Sequence, residues 1–112
     1  MDLTFTDLSG VTRAGLSGRL DTNNINRVEG RFVAGLVPPG QHAVVDLSEV
    51  TFIASLGIRM LLSTARALGR KGAKLAMFGA MPPVMEIIET MALSDIIPVF
   101  ATEAEAIELV TS

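Results

Sequence analysis

Hydrophobic residues along the chain follow the period of strands in some segments and the period of helices in others. From Val11 onward apolar and polar side chains alternate, which predicts a strand with one wet face. Ala14, Leu16 and Leu20 share one parity of that strand, and Arg13, Ser17 and Arg19 share the other. Leu3 to Thr6 is a shorter candidate strand before the turn sequence Asp7-Leu8-Ser9-Gly10, so the two strands are predicted to form a hairpin.

Two longer segments carry apolar residues at helical spacing. The first follows Asp21-Thr22-Asn23-Asn24, which offers side chains able to cap a helix. Its apolar stripe consists of Ile25, Val28, Phe32 and Leu36. The second runs from Ser55 to Leu68, and the turn Gly69-Arg70-Lys71-Gly72 ends it. Its stripe consists of Ile58, Leu61, Leu62, Ala65 and Leu68.

Two further helices are predicted in the last third of the chain. Pro82 suits a first helical turn, and helical spacing continues through Val84, Ile87, Ile88 and Met91. Thr102 and Glu105 have the spacing of a capping box, which opens a final helix. The apolar face of that helix consists of Ala106, Leu109 and Val110.

Three apolar runs complete the predicted fold. Ala43 to Leu47 is nearly unbroken, which is typical of a central strand covered on both faces, and Leu75 to Phe78 and Ile96 to Val99 are predicted as further strands. The order β-β-α-β-α-β-α-β-α predicts an α/β sandwich, with a mixed sheet of about five strands, the first antiparallel, and about four helices.

Composition narrows the class of protein. With 112 residues and 49% hydrophobic composition, the chain is expected to form one compact domain over residues 1–112. It has no cysteine and one histidine, so we expect no metal site and no other cofactor. The net charge of −3 and the scattered basic residues argue against direct nucleic-acid binding. No apolar run suits membrane insertion and no secretory signal is visible, so a cytoplasmic location is expected.

The segment from Ser48 to Gly57 is the first candidate for function. It is predicted as a loop between the central strand and the longest helix, at the carboxyl edge of the strands, where α/β sheets place functional loops. Ser55 would be the N-cap or first-turn residue of that helix, and the ordinary interpretation is a serine that satisfies a free amide. The helix amino end would also stabilise a phosphoryl group on this hydroxyl.

Other chemistries have weaker support. A serine nucleophile needs a base, but His42 is expected at the opposite edge of the sheet, and Ser-Leu-Gly lacks the first glycine of the nucleophile elbow. Asp46 and Glu49 could form an acid/base pair or a magnesium site, although an aspartate there is more often turn chemistry. Four methionines either fill the core or form an adaptable partner surface: Met77, Met81, Met85 and Met91.

The stretch from Val45 to Gly57, Val-Asp-Leu-Ser-Glu-Val-Thr-Phe-Ile-Ala-Ser-Leu-Gly, resembles the signature of STAS domains, the family named for sulfate transporters and anti-sigma factor antagonists. Gly18-Arg19-Leu20-Asp21 is similar to the end of that family's second strand. Met91-Ala92-Leu93-Ser94 through Phe100, with the closing acidic helix, is similar to its C-terminal third. The resemblance covers nearly the whole chain and implies a single STAS domain.

This resemblance implies a bacterial partner-switching protein, a regulator of transcription and not an enzyme. Such an antagonist, when unmodified, binds a serine kinase of the histidine-kinase-like ATPase type that is also an anti-sigma factor, and thereby frees the sigma factor. Phosphorylation of the antagonist serine, here Ser55, breaks the complex, and a serine phosphatase is the implied third partner. By position Asp21 matches the family's acidic residue near the serine, while Asp46 and Ser48 match the motif that shapes the segment. The expected partner-binding residues are Asp21, Asn24, Ser48, Ala54, Ser55, Leu56 and Gly57.

Two positions depart from the family pattern. Many antagonists have an acidic residue before the serine and a small residue after it, whereas this chain has Ala54 and Leu56. Leu56 is either an apolar contact for a partner or the first residue turned toward the core. A second hypothesis therefore stays open, in which the chain is a non-switching STAS scaffold subunit of a signalling complex or of a lipid-transport system. A small enzyme is a third, based only on a polar segment at a sheet edge.

Overall fold

Five strands and four α-helices make up the protein in the computed structural model, which describes residues 1–112. The strands are β1 (Asp2–Asp7), β2 (Val11–Leu20), β3 (His42–Ile53), β4 (Leu75–Phe78) and β5 (Val99–Phe100). The helices are α1 (Thr22–Leu36), α2 (Ser55–Arg70), α3 (Pro82–Thr90) and α4 (Glu103–Thr111), and a 3-10 turn covers Leu93–Asp95. The predicted α/β sandwich with a mixed sheet is confirmed.

The strands lie side by side in the order in which they occur along the chain. β1 is antiparallel to β2, and every later neighbour pair is parallel. Because each parallel connection crosses to the next strand in the same direction with the same hand, α1, α2 and α3 all pack on one face of the sheet. The last helix, α4, covers the other face.

The central strand β3 is buried on both faces, as its unbroken apolar run predicted. Val45 and Leu47 belong to the core shared with the first three helices, whereas Val44 packs with α4. All four residues of the stripe predicted for α1 are buried: Ile25, Val28, Phe32 and Leu36. Burial of one such side chain contributes about 1.5–3 kcal/mol, so this packing fixes where the helices start relative to the strands.

β3 is longer than predicted. The segment from Ser48 to Ile53 was expected to be loop, but it continues the strand and pairs with the second half of β2. The register between the two strands shifts at two places, and each shift leaves one extra residue in β3, which is a β-bulge. The bulges bring Leu47, Val50 and Ile53 to the same core at a spacing of three, a pattern that strict alternation does not reveal.

β5 begins later than predicted. The expected strand from Ile96 to Val99 is wrong at its start, because Ile96 follows the 3-10 turn and is 53% exposed. The carbonyl oxygen of Pro98 accepts a hydrogen bond from the N–H of Met77 at 2.9 Å. Proline has no N–H with which to continue the ladder, and β5 therefore pairs only with Met77 and Phe78 of β4.

Two helix starts have the side-chain caps that the sequence predicted. The carboxylate of Asp21 accepts the N–H of Asn24 at 3.0 Å, and the hydroxyl of Thr102 accepts the N–H of Glu105 at 3.3 Å. In the second cap the Thr102 hydroxyl also donates to the Glu105 carboxylate at 2.9 Å. None of the helices combines the length and the apolar composition that crossing a bilayer requires.

Candidate functional site

The amino ends of α1 and α2 lie next to each other at the carboxyl ends of β2 and β3. The backbone N–H of Ala54 donates to the carbonyl oxygen of Leu20 at 2.9 Å, which joins the end of β3 to the end of β2. Asp21 and Ser55 directly follow these two residues and stand at the starts of α1 and α2. The structure therefore brings together two predicted site residues that are distant in sequence.

Ser55 is the first residue of α2 and does not cap it. The N-cap is Ala54, whose backbone is extended at φ −91° and ψ 169°, and no side chain makes the capping hydrogen bond. Of the two positions predicted for Ser55, the first turn is therefore correct and the N-cap is wrong. Ser55 is exposed, and its hydroxyl has no hydrogen-bond partner within the protein.

The start of α2 has an uncompensated positive end. Its first turn contains no acidic residue, and of its first three N–H groups only that of Gly57 has a backbone partner, the carbonyl oxygen of Ala54. The partial positive charge of the helix dipole is therefore open to solvent around Ser55. The exposed cation Arg59 follows one helical turn later, so the nearest charge along α2 is also positive. The electrostatic environment of Ser55 therefore suits either a neutral hydroxyl or an anionic group.

Polar side chains at the end of β2 hold one another in place beside this helix start. The carboxylate of Asp21, besides capping α1, accepts from Nε of Arg19 at 3.4 Å, and the side-chain amide of Asn24 donates to the carbonyl oxygen of Arg19 at 2.8 Å. The guanidinium of Arg19 lies 4.4 Å from the ring centroid of Phe52. Sequence reasoning missed Arg19 and Phe52, because they are neighbours only through the β2–β3 register.

Leu56 and Gly57 attach the first turn of α2 to the core. Leu56 is half-buried and packs against the core of the first three helices, which is the inward orientation of the two alternatives considered for it. Gly57 is buried, and a Cβ on it would lie 3.0 Å from Cγ1 of Ile53 and 3.3 Å from Cβ of Leu20. Gly57 was expected among the partner-binding residues, and the structure places it where the lack of a side chain allows the close approach of α2 to β2.

Ser48 lies apart from the other predicted site residues. It is exposed on β3, six residues before Ala54, which corresponds to on the order of 20 Å along an extended strand. The N–H of Ser48 donates to the carboxylate of Asp46 at 2.8 Å. A Cβ added to Gly79 would lie 3.2 Å from the Cβ of Ser48, so the backbone of Gly79 lies close to this serine. The structure therefore does not bring Ser48 together with Ser55.

The carboxylate of Asp46 is engaged in holding the fold together. It forms an ion pair with Arg13, whose Nε also lies 3.2 Å from the carboxylate of Glu103. These contacts connect β2, β3 and α4. His42 lies at the amino end of β3, where its Nδ1 accepts the N–H of Lys74 at 2.9 Å. The histidine and Ser55 are thus at opposite ends of the same strand.

The four methionines have different environments. Met77 is fully buried in β4, Met81 and Met85 are half-buried, and Met91 is 50% exposed. They do not form one continuous exposed surface: Met77 fills the core, and Met91 is exposed to solvent.

Comparison with known proteins gives one consistent result. The family model described as STAS domain matches residues 4–106. The anti-sigma F factor antagonist of Paenibacillus polymyxa is 26% identical over 99 residues, which are 88% of this chain and 85% of that protein. The anti-sigma-B factor antagonist of Listeria monocytogenes is 26% identical over 90 residues, which are 80% of this chain and 79% of that protein.

Solved structures agree with this match at the level of the fold. The crystal structure of an anti-sigma factor antagonist from Mycobacterium paratuberculosis superposes with a TM-score of 0.89 and 24% identity, over 99% of this chain and 94% of that one. The family match spans nearly all of the strands and helices described above. The chain belongs to the STAS domain family.

Proposed function

We propose that this protein is an anti-sigma factor antagonist in which Ser55 is the switch residue. Unmodified, it binds an anti-sigma factor that is also a serine kinase of the histidine-kinase-like ATPase type. Transfer of the γ-phosphoryl group of ATP to the Ser55 hydroxyl then dissociates the complex, and a serine phosphatase restores the unmodified form. Relatives named as antagonists of anti-sigma factors support the general role.

One observation carries the proposed switch: the Ser55 hydroxyl is exposed and performs no structural task. A serine that capped α2 would lose its helix-stabilising bond on modification. Here a phosphoryl group replaces only the hydroxyl proton and extends into solvent, at a helix end whose dipole stabilises an anion by about 0.3–1 kcal/mol. Phosphorylation can therefore change the surface without unfolding the domain.

The size of the charge change is sufficient for a switch. A phosphoserine carries close to two negative charges at neutral pH. An uncompensated charge buried at an interface costs about 2–5 kcal/mol, which corresponds to a loss of affinity of roughly 30-fold to several thousand-fold. One phosphoryl group at a docking surface is therefore enough to exchange one partner for another.

We assign the contact surface to the exposed and half-buried residues around the two helix starts. Ser55 and Ala54 come from α2 and its cap, and Asp21 and Asn24 come from α1 and its cap. Leu56 contributes by its packing, since it fixes the direction of the first turn. Ser48 would reach a partner only if the interface extended along β3. In this proposal the chain binds and is modified in the cytoplasm and performs no catalysis itself.

The experiment uses the histidine-kinase-like ATPases of the source genome, each purified and tested for binding and for phosphoryl transfer to the chain. We expect one of them to bind the parent protein and Ser55→Ala, to bind Ser55→Asp at least tenfold more weakly, and to phosphorylate the parent at Ser55. Ser9→Asp, which adds the same charge in the exposed β1–β2 turn, is the matched control and should bind like the parent.

If no ATPase of this type binds the parent, the antagonist role is wrong. If one binds but Ser55→Asp binds as tightly as the parent, the switch is wrong and the non-switching scaffold is the better explanation. Intact-mass measurement of the protein from cells grown under several conditions separates the same two hypotheses, because a scaffold has no phosphorylated fraction.

A further inference from the structure

A second surface of the molecule, far from Ser55, carries two open cavities separated by Leu109 of α4. The first, the basic cavity, lies between the second half of α2 and the start of β4, and its charged residues are Arg66 and Lys74. The second, the acidic cavity, has Glu105 and Glu108 as its charged residues. Each has a volume of about 330 Å³, and Leu109 is the residue that lines both.

Most charged groups of the two cavities are free to meet an external partner. Ion pairs with aspartate or glutamate involve only Arg13 and Arg19 as cations, so Arg66 is unpaired. Nζ of Lys74 donates to the backbone oxygen of Ser112 at 2.9 Å, and Ser112 lines the acidic cavity. Glu108 has no ion pair, and the Glu105 carboxylate accepts only from the Thr102 hydroxyl. The surface therefore presents the unpaired cation Arg66 on one side of Leu109 and two unpaired carboxylates on the other.

Ile96 is the most exposed large hydrophobic residue of the protein, at 53%, and it stands on the rim of the basic cavity. Its exposure follows from the short edge strand, because β5 pairs only with the second half of β4 and leaves the start of β4 uncovered. The acidic cavity offers a matching apolar floor in Phe100 and Leu109. Exposed apolar side chains beside a cavity are typical of interaction surfaces.

We propose that this surface binds a second copy of the same chain through a two-fold axis that passes beside Leu109. In such an isologous contact residue i of one copy meets residue j of the other and residue j meets residue i, and only residues on the axis meet their own counterparts. Rotation about the axis therefore places the basic cavity of each copy over the acidic cavity of the other. Ile96 of one copy then enters the cavity floored by Phe100 and Leu109 of its partner.

Self-complementarity is the reason to choose a second copy as the occupant. A basic patch alone would fit any acidic partner, but here the complementary acidic patch is on the same surface, and both share the apolar residue Leu109. Arg66 lies eleven residues after Ser55 on α2, which is roughly 16 Å along the helix. The dimer therefore leaves both Ser55 sites accessible, and this inference does not depend on the proposed function.

Sedimentation equilibrium of the full chain at up to about 1 mM, where weak association is measurable, tests the proposal. We expect a monomer–dimer equilibrium that weakens toward about 1 M salt, where charge interactions are screened beyond about 3 Å. The double variants Arg66→Glu/Lys74→Glu and Glu105→Lys/Glu108→Lys should each lose dimer affinity at least tenfold, because like charges then face each other. An equimolar mixture of the two variants should recover a dimer.

Two controls keep the outcome decisive. Arg27→Glu/Arg59→Glu changes the net charge equally on exposed cations outside the surface and should dimerise like the parent. Ile96→Asp alters a side chain that is already exposed, so it should remain folded yet dimerise at least tenfold more weakly. A parent protein that stays monomeric throughout, a dimer that survives in both double variants, or a mixture that does not recover it would overturn the proposal.

Discussion

Gly57 lies against Leu20 so closely that a Cβ on the glycine would be 3.3 Å from the leucine Cβ and 3.4 Å from its carbonyl oxygen. The same carbonyl accepts the N–H of Ala54, so one peptide group at the end of β2 contacts both the cap and the first turn of α2. This contact sets the position of Ser55 relative to Asp21, the residue after Leu20. The candidate site thus depends on backbone packing as much as on its polar side chains.

Gly57→Ala is expected to destabilise the protein despite the better helix propensity of alanine. Propensity alone would give a gain of up to about 1 kcal/mol, but forcing a methyl group against Ile53 and Leu20 costs about 1–3 kcal/mol. Urea denaturation should therefore show a loss of up to about 2 kcal/mol. Gly30→Ala in α1 is the matched control, since nothing lies within 4 Å of its added Cβ, and it should be neutral or stabilising. Equal effects at the two positions would show that the Leu20 contact does not constrain α2.

Ser55→Ala should leave the free energy of unfolding within about 0.5 kcal/mol of the parent value, because the hydroxyl makes no capping bond. Asp21→Ala should cost about 1 kcal/mol, since it removes the observed cap of α1. The two variants are compared by chemical denaturation under the same conditions. A loss at Ser55 as large as that at Asp21 would mean that Ser55 has a structural role in solution.

Asp46→Asn tests the ion pair that connects β3 to β2. The asparagine keeps an oxygen to accept the Ser48 N–H but removes the charge that faces Arg13, and a loss of about 1 kcal/mol is expected. Glu103→Gln is the control, because its carboxylate is more exposed and its contact with Arg13 is longer, and it should cost less than about 0.5 kcal/mol. Equal losses would show that the contact of Arg13 with α4 stabilises the protein as much as its ion pair with β3.

Protein carrying phosphoserine at position 55 should remain folded and gain about 0.3–1 kcal/mol in the free energy of unfolding at low salt, from the interaction with the α2 dipole. The gain should fall as salt is added, because this end of the helix is exposed. Thermal unfolding of the modified and unmodified proteins measures both effects. Unfolding or strong destabilisation on modification would contradict a switch that acts through the surface alone.

The sequence predicted the elements whose pattern is local. The stripe of α1 and the caps at Asp21 and Thr102 depend on residues within one or two helical turns, and the structure has them as predicted. The second half of β3 was missed because its bulges are defined by pairing with β2, and a single strand does not reveal its register.

The start of β5 and the cap of α2 were missed for similar reasons. Ile96 is a residue type that is common in strands. However, β4 pairs with the last strand only from Met77 onward, and Met77 faces Val99. At α2 the sequence offered a good capping residue in Ser55, yet the hydrogen bond between Ala54 and Leu20 fixes the extended residue one position earlier. Tertiary contacts overrode the local preference in both places, and in the second they leave the serine hydroxyl free.

The most direct test of the proposed switch is the dissociation constant for the anti-sigma kinase, measured by isothermal titration calorimetry with phosphoserine at position 55 and, separately, at position 9. Both proteins carry the same added charge, and only the first carries it at the start of α2. The account predicts at least about 30-fold weaker binding for phosphoserine 55 and near-parent binding for phosphoserine 9. Equal affinity of the two phosphorylated proteins would contradict it.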